Sequence, residues 1–271
     1  MPENSVPIYK VSSSREKYRK LAIQGDLSRL SGRHKPLETK RRALLIKDNL
    51  SRLNVKKNGL VLDMGCGDGT LLRELSSRFG ICVGAVPSDE EKNLLARAFC
   101  DWENILFLRG ESEEPLPELP GRTADLIVCN SVLHGNGFDA SSVAKSLGAF
   151  SVMQEKGQVL YLGEIPVRNE FEGRDYGLSF RRYLVWCLKT GRLWRLTQNL
   201  FMYLRSSITE NVYIIQGTSG FHSVPDDFIP LVESFGYQYV SAHDSASNAL
   251  LTTGNTKKEN IDRVDYIFIK S

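Results

Sequence analysis

The sequence predicts an α/β fold built on a seven-stranded, doubly wound, mostly parallel sheet. Three observations carry this. Short apolar runs alternate with helical patterns roughly every 20–30 residues. A glycine-rich turn directly follows the first run and opens a helix. The composition, 41% hydrophobic and 25% charged over 271 residues, suits a folded chain with one sizeable core.

The elements follow in order. Residues 1–15 show no periodicity. Tyr18 to Leu30 and Leu37 to Leu53 have helical periodicity, and Pro36 suits the first turn of the second helix. Leu60 to Leu62 reads as the first strand and Thr70 to Phe79 as a helix ended by Gly80. Ile81 to Val86 is the second strand. Ser88 caps a helix running to about Phe99, with Glu91 completing a capping box. Ile105 to Leu108, Ala124 to Cys129 and Val159 to Gly163 are the third, fourth and fifth strands, with a helix at Val143 to Met153. The alternation breaks after Glu164. Residues 166–210 read as two helices split near Thr190-Gly191. It resumes with a helix from Val224 to Phe235, capped by Ser223, and strands at Tyr237 to Ala242 and Val264 to Ile269. The chain therefore divides into an N-terminal helical arm (1–57), a core (58–165), a helical cap insertion (166–210) and the C-terminal part of the sheet (211–271).

Charge is unevenly spread. Residues 1–58 carry +10 and the remainder −7, against a net +3. A basic arm can meet nucleic acid, an anionic membrane surface or an anionic substrate, or can be a solvated helix face. No apolar run is long enough to span a bilayer, and residues 1–10 lack the apolar core of a signal peptide. The five cysteines show no metal-ligand or disulfide spacing and read as reduced packing residues in a cytoplasmic protein. No metal-ligand cluster is expected.

Asp63, Gly65, Cys66, Gly67, Asp68 and Gly69 form the turn after the first strand. Glycines there let a nucleoside approach the main chain and permit unusual backbone angles. The acid two residues before the first glycine, and the GxGxG spacing, speak against a dinucleotide site of GxGxxG form. This segment resembles the first motif of class I S-adenosylmethionine-dependent methyltransferases, which have a Rossmann-like fold. Gly110-Glu111-Ser112-Glu113 resembles that family's adenine-contacting segment, and Ala124 to His134 its fourth strand and following loop. The resemblance covers roughly 58–165 and 220–271. It implies S-adenosyl-L-methionine as cofactor, S-adenosyl-L-homocysteine as product, and cofactor contacts from the turn residues, Val86, Ser88, Glu111, Ser112, Asn130 and Ser131. One departure stands out: the acid that ends the family's second strand and receives the ribose hydroxyls is Val86 here, and Ser88 and Asp89 are the nearest replacements.

For chemistry, His134 follows the fourth strand, and its ordinary pKa of about 6.5 suits a general base. Glu164 ends the fifth strand beside the same crevice, and His222 precedes a helix that could bring it there. Each also has a plain structural reading as a packed or solvated side chain. Residues 166–210 carry eight Lys/Arg against four acids and many aromatics, including Arg181 and Arg182, which suits a cap over an anionic sugar or a structural insertion or homodimer contact. The expected function is O-methylation of a small-molecule or glycan acceptor. An N-methyltransferase of a small amine and a non-catalytic binding module of the same fold are the alternatives. No nucleic-acid substrate is expected, since no Asn-Pro-Pro-Tyr-like segment follows the fourth strand.

Overall fold

The computed structural model describes residues 14–167 except 34, 54, 122 and 135–137, together with 197, 221–251 and 261–271. The expected helical cap therefore lies almost wholly outside the described residues, Arg181 and Arg182 included.

Seven strands form one sheet in the order β3-β2-β1-β4-β5-β7-β6. They are β1 (Leu60–Met64), β2 (Ile81–Val86), β3 (Ile105–Arg109), β4 (Leu126–Asn130), β5 (Val159–Pro166), β6 (Tyr237–Asp244) and β7 (Arg263–Lys270). The first five run parallel, and β7 is antiparallel to both β5 and β6. Strand order reverses at β1, so a crevice opens beyond the C-terminal ends of β1 and β4, where ligands bind in open α/β sheets.

Strand alternation assigns the two faces. Leu60, Leu62 and Met64 of β1 join α5 (Ala140–Val152) and α6 (Pro225–Glu233) in one core layer. Val61 joins α2 (Pro36–Ser51), α3 (Thr70–Leu75) and α4 (Asp89–Ala98) in the other. Every residue of β1 is buried, which is why it reads as a continuous apolar run rather than an alternating one. The second helix of the basic arm is thus part of a core layer, through Ala43, Ile46 and Leu50.

Several elements depart from the sequence reading. The helix expected over 18–30 is α1 (Ser14–Ile23), followed by a 3-10 turn at Leu27–Arg29, because Gly25 takes φ +77° and leaves the helical path. α3 ends at Leu75, four residues early. α5 begins at Ala140, where Asp139 accepts from Ser142 N–H at 2.8 Å. Ser223 is not the cap of α6. Val224 holds that position without a side-chain bond, and the Ser223 hydroxyl donates to Val224 O at 3.3 Å. Ser88 does cap α4, accepting from Glu91 N–H at 3.3 Å.

One buried ion pair joins the first half of the chain to the last strand. Arg42 of α2 forks onto Asp265 of β7, at 2.7 and 2.6 Å, and also donates to Asn130 Oδ1 at 2.7 and 3.0 Å. Arg42 is 7% exposed and Asp265 0%. Asp265 further accepts from the Tyr161 hydroxyl at 2.7 Å, the Ser245 hydroxyl at 2.6 Å and Glu164 N–H at 2.9 Å. A buried charge without its partner is costly, and breaking such a pair typically destabilises by about 3–5 kcal/mol. Arg42→Ala is expected to lose about that much in a urea unfolding titration. A loss below about 1 kcal/mol would show that the pair does not anchor α2.

Candidate active site

The crevice is built from the exits of β1, β2, β4 and β5, and the basic arm crosses it. Gly65, Gly67 and Gly69 take φ of +76°, +56° and +75°, in the left-handed region that side chains disfavour. The space a Cβ would need is occupied by the chain itself. At Gly65 it would run into Val132, and at Gly67 it would lie 3.1 Å from Ser31 Cα and 3.2 Å from Leu30 O. The glycine turn therefore admits the arm's backbone at Gly67, a contact that local sequence does not reveal. Thr39 donates to Ser31 Oγ at 3.1 Å and steadies that crossing from α2.

Asp63 sits at the end of β1, 3% exposed, and among the described residues no cationic side chain pairs with it. Burial first, and the nearby Asp68 charge second, push its carboxyl up to about 7. A buried carboxyl with no protein cation beside a glycine turn fits a cationic ligand. Asp68 itself closes the turn by accepting from Thr70 N–H at 3.0 Å. Cys66 is buried, and its thiol is pushed well up by burial and the surrounding acids, so it packs rather than reacts.

The other expected cofactor contacts are placed as follows. Val86 is buried in the apolar layer with Cys66, Leu95 and Phe99. Ser88 is engaged as the α4 cap. Glu111 pairs with Arg15 of α1 at 2.7 Å, and Ser112 is buried, accepting from the Ser146 hydroxyl of α5 at 3.1 Å. Asn130 is held by Arg42.

At the exits of β4 and β5 the structure brings the expected chemistry-bearing residues together. The Ser131 hydroxyl lies 2.9 Å from His134 Nε2, and Arg263 Nη1 of β7 lies 3.4 Å from the same nitrogen. Burial first, then the Arg263 charge, push the His134 pKa down to about 4, and Glu164 only partly opposes them; the His222 charge is also felt there. The imidazole is therefore neutral at physiological pH and a weaker base than its ordinary value of about 6.5 suggests. Glu164 accepts from Arg33 at 2.6 Å, and Arg263 lies 3.8 Å away. Burial opposes its ionisation, but Arg33, Arg42, the Ser131 hydroxyl and Arg263 outweigh that and hold the carboxyl below its ordinary range. Ser131 and Glu164 both take positive φ, +62° and +58°. Such strain costs about 1–3 kcal/mol per residue and concentrates at functional sites.

Sequence reasoning missed Arg33, Arg42, Arg263 and Asp265. A signal existed for two. Arg42 lies on the apolar stripe with Thr39, Ala43 and Ile46, and Asp265 interrupts an apolar strand; charges in such places need each other. Among the described residues no group of His, Cys, Asp and Glu could hold a metal, and no helix is long and apolar enough to cross a membrane.

The sheet order is that of a Rossmann-like methyltransferase fold, and the comparisons match it. Residues 38–151 match the family model described as a methyltransferase domain. An uncharacterized methyltransferase of Schizosaccharomyces pombe is 32% identical over 90 residues, 33% of this chain and 34% of that protein. The chain spans well under half the length of the curated relatives it matches. In solved structures, it is similar to magnesium protoporphyrin IX methyltransferase of Synechocystis PCC 6803 with bound S-adenosylhomocysteine. That match has TM-score 0.58 and 12% identity, covering 95% of this chain and 98% of the other. It is also similar to an N-methyltransferase of Bradyrhizobium japonicum WM9, TM-score 0.56 and 14% identity, covering 96% and 99%. Residues 38–151 thus match a methyltransferase domain, and the chain shares the fold of methyltransferases crystallised with S-adenosylhomocysteine.

The carboxyl of Asp63 gives a pH test. Unfolded it titrates near 4, folded near 7. Between those values the folded protein holds a proton that the unfolded chain has shed, so this group's contribution to stability falls as pH rises towards 7. A cation bound beside it favours the ionised form and expels that proton. S-adenosylmethionine affinity is expected to rise from pH 5.5 to pH 8. Calorimetry at pH 6.5 in buffers of different ionisation enthalpy is expected to show proton release that Asp63→Asn diminishes. A pH-independent affinity would remove Asp63 from the site.

Proposed function

We propose that this chain is an S-adenosylmethionine-dependent O-methyltransferase whose acceptor is an anionic small molecule or glycan, methylated on an oxygen that is already ionised. The observation that carries the reading is the pairing of Arg263 with a neutral, weakly basic His134 at the β4 exit. A neutral hydroxyl would need a base with a pKa near the working pH, and a group near 4 supplies little of that. A carboxylate, or another oxygen that carries its own charge, needs position and a cation instead.

S-adenosylmethionine, when bound, supplies a methyl group activated by a sulfonium. Asp63 and the 65–69 turn would hold it. The Arg263 side chain is 41% exposed, so it can meet an anion while also facing Glu164. Arg33 closes the crevice from the arm by its bond to Glu164 and, with Ser31 over Gly67, shields the methyl-transfer face from water. N-methylation of an amine is supported less well, because Glu164, the acid that would attract a cation, is already held by Arg33. The cytoplasmic location and the choice of a small or glycan acceptor belong to the same proposal.

The test is a screen for S-adenosylhomocysteine formation with uronic acids, aryl carboxylates and their neutral amides or glycosides. Turnover is expected with ionised acceptors alone, and turnover restricted to the neutral set would sink the reading. With an ionised acceptor, His134→Ala is expected to lower kcat less than about tenfold, below the roughly 10²–10⁴-fold of a lost general base. Arg263→Ala is expected to raise acceptor KM at least about tenfold and to leave cofactor affinity within about twofold. A failure of wild-type protein to bind cofactor at millimolar concentration would favour the non-catalytic module.

A further inference from the structure

The ribose side of the crevice lacks the acid that ends the second strand in the family. Val86 occupies that place, and its side chain is buried against Cys66, Leu95 and Phe99, so it offers nothing to a hydroxyl. The two nearby replacements visible in the sequence are engaged elsewhere. Ser88 caps α4, and Asp89 reaches outward to Arg109 at 3.1 Å. Glu90 likewise turns out to Arg19 at 2.9 Å.

Glu91 is different from all three. It is 2% exposed although it lies in the first turn of a helix, where acids are ordinarily solvated. Its Oε2 is buried and finds no hydrogen-bond partner among the described residues. A buried carboxylate oxygen left alone is costly, and native proteins normally satisfy such atoms. Its direction follows from the helix. Glu91 and Leu95 are four residues apart and share one face, and Leu95 belongs to the apolar layer that also holds Cys66 of the glycine turn and Val86. Glu91 is one turn nearer the crevice on that face. Its charge is accordingly felt at the Cys66 thiol. β2 ends against the same turn, since Ala85 O accepts from Gly65 N–H at 2.9 Å and Cys66 N–H at 3.3 Å.

The geometry points to Glu91 as the residue that takes the two hydroxyls of the cofactor's ribose, delivered from the first turn of α4 rather than from the end of β2. A carboxylate presents two acceptor oxygens, and a vicinal diol presents two donors, so the match is chemical as well as spatial. Burial pushes the Glu91 carboxyl up to about 7, opposed by the Ser88 hydroxyl. That is the behaviour of an acid whose partners arrive with a ligand. The inference rests on the methyltransferase reading above, and it assigns a binding role that the strand itself has given up.

The test measures affinity by calorimetry for S-adenosylhomocysteine and for its 2′,3′-dideoxy analogue, on wild-type protein and on Glu91→Gln. Glutamine keeps the capping box but replaces one acceptor by a donor. Wild-type protein is expected to prefer the ribose form by about 10–100-fold, and Glu91→Gln to lose most of that preference. Because the readout is a ratio on one protein sample, partial unfolding of the variant leaves it unchanged. An undiminished preference in Glu91→Gln would overturn the assignment and leave Glu91 a capping residue. No binding of S-adenosylhomocysteine by wild-type protein at millimolar concentration would overturn the cofactor reading, and this assignment with it.

Discussion

A fully buried guanidinium–carboxylate pair at the centre of a sheet edge persists only if every donor and acceptor around it is supplied. Arg42 and Asp265 meet that condition with Asn130, Tyr161, Ser245 and Glu164 N–H. These groups come from α2, β4, β5, β7 and the turn after β6. The pair therefore fixes α2 on its core layer and sets the exits of the two strands that deliver Ser131 and Glu164. The positive φ at both residues is tolerable because Asn130 and Glu164 N–H are held from the far side by this network. From the same helix, Thr39 steadies Ser31 over Gly67.

The basic arm finds its partners in its own chain. Arg15 meets Glu111 and Glu113, Arg19 meets Glu90, Arg33 meets Glu164, and Arg42 meets Asp265. The charge asymmetry of +10 against −7 thus becomes complementarity between an arm and the acidic rim of a crevice. The outer pairs are exposed and screened by solvent. Of the inner two, Arg33–Glu164 is partly buried and Arg42–Asp265 fully buried. This use of the arginines differs from the nucleic-acid, membrane and substrate roles that composition alone suggests.

The parallel strands and the glycine turn were legible because their signals are local. Leu60 to Leu62, the turn at 65–69 and the Ser88 capping box are read within one window of residues. Helix ends were less legible. Gly25 breaks α1 only because its backbone adopts a left-handed angle, and Ser223 was a cap by type but not by geometry. The candidate site's arrangement was legible in half. Asp63, His134 and Glu164 follow from their positions at strand ends. Arg33 and Arg263 do not, because they reach the crevice from 131 residues before Glu164 and 129 residues after His134. Long-range contacts of that kind carry no periodic trace. Nor could sequence show that one cause, burial, would move an imidazole down and a carboxyl up in the same cleft.

Those opposite movements organise the crevice. Burial favours the neutral form of every group in it, so Asp63 and Glu91 rise to about 7 and His134 falls to about 4. Glu164 escapes because three arginines surround it. The cofactor half is then short of positive charge and the acceptor half is rich in it. Under the proposed reading, each half attracts a ligand of the complementary sign. Methyl transfer from a cationic sulfur to an anionic oxygen leaves a neutral thioether and a neutral ester, so one unit of charge disappears from each ligand. Both attractions that assemble the complex weaken in the same event. A site built this way binds substrates more strongly than products, which is consistent with a histidine kept neutral and a glutamate kept ionised.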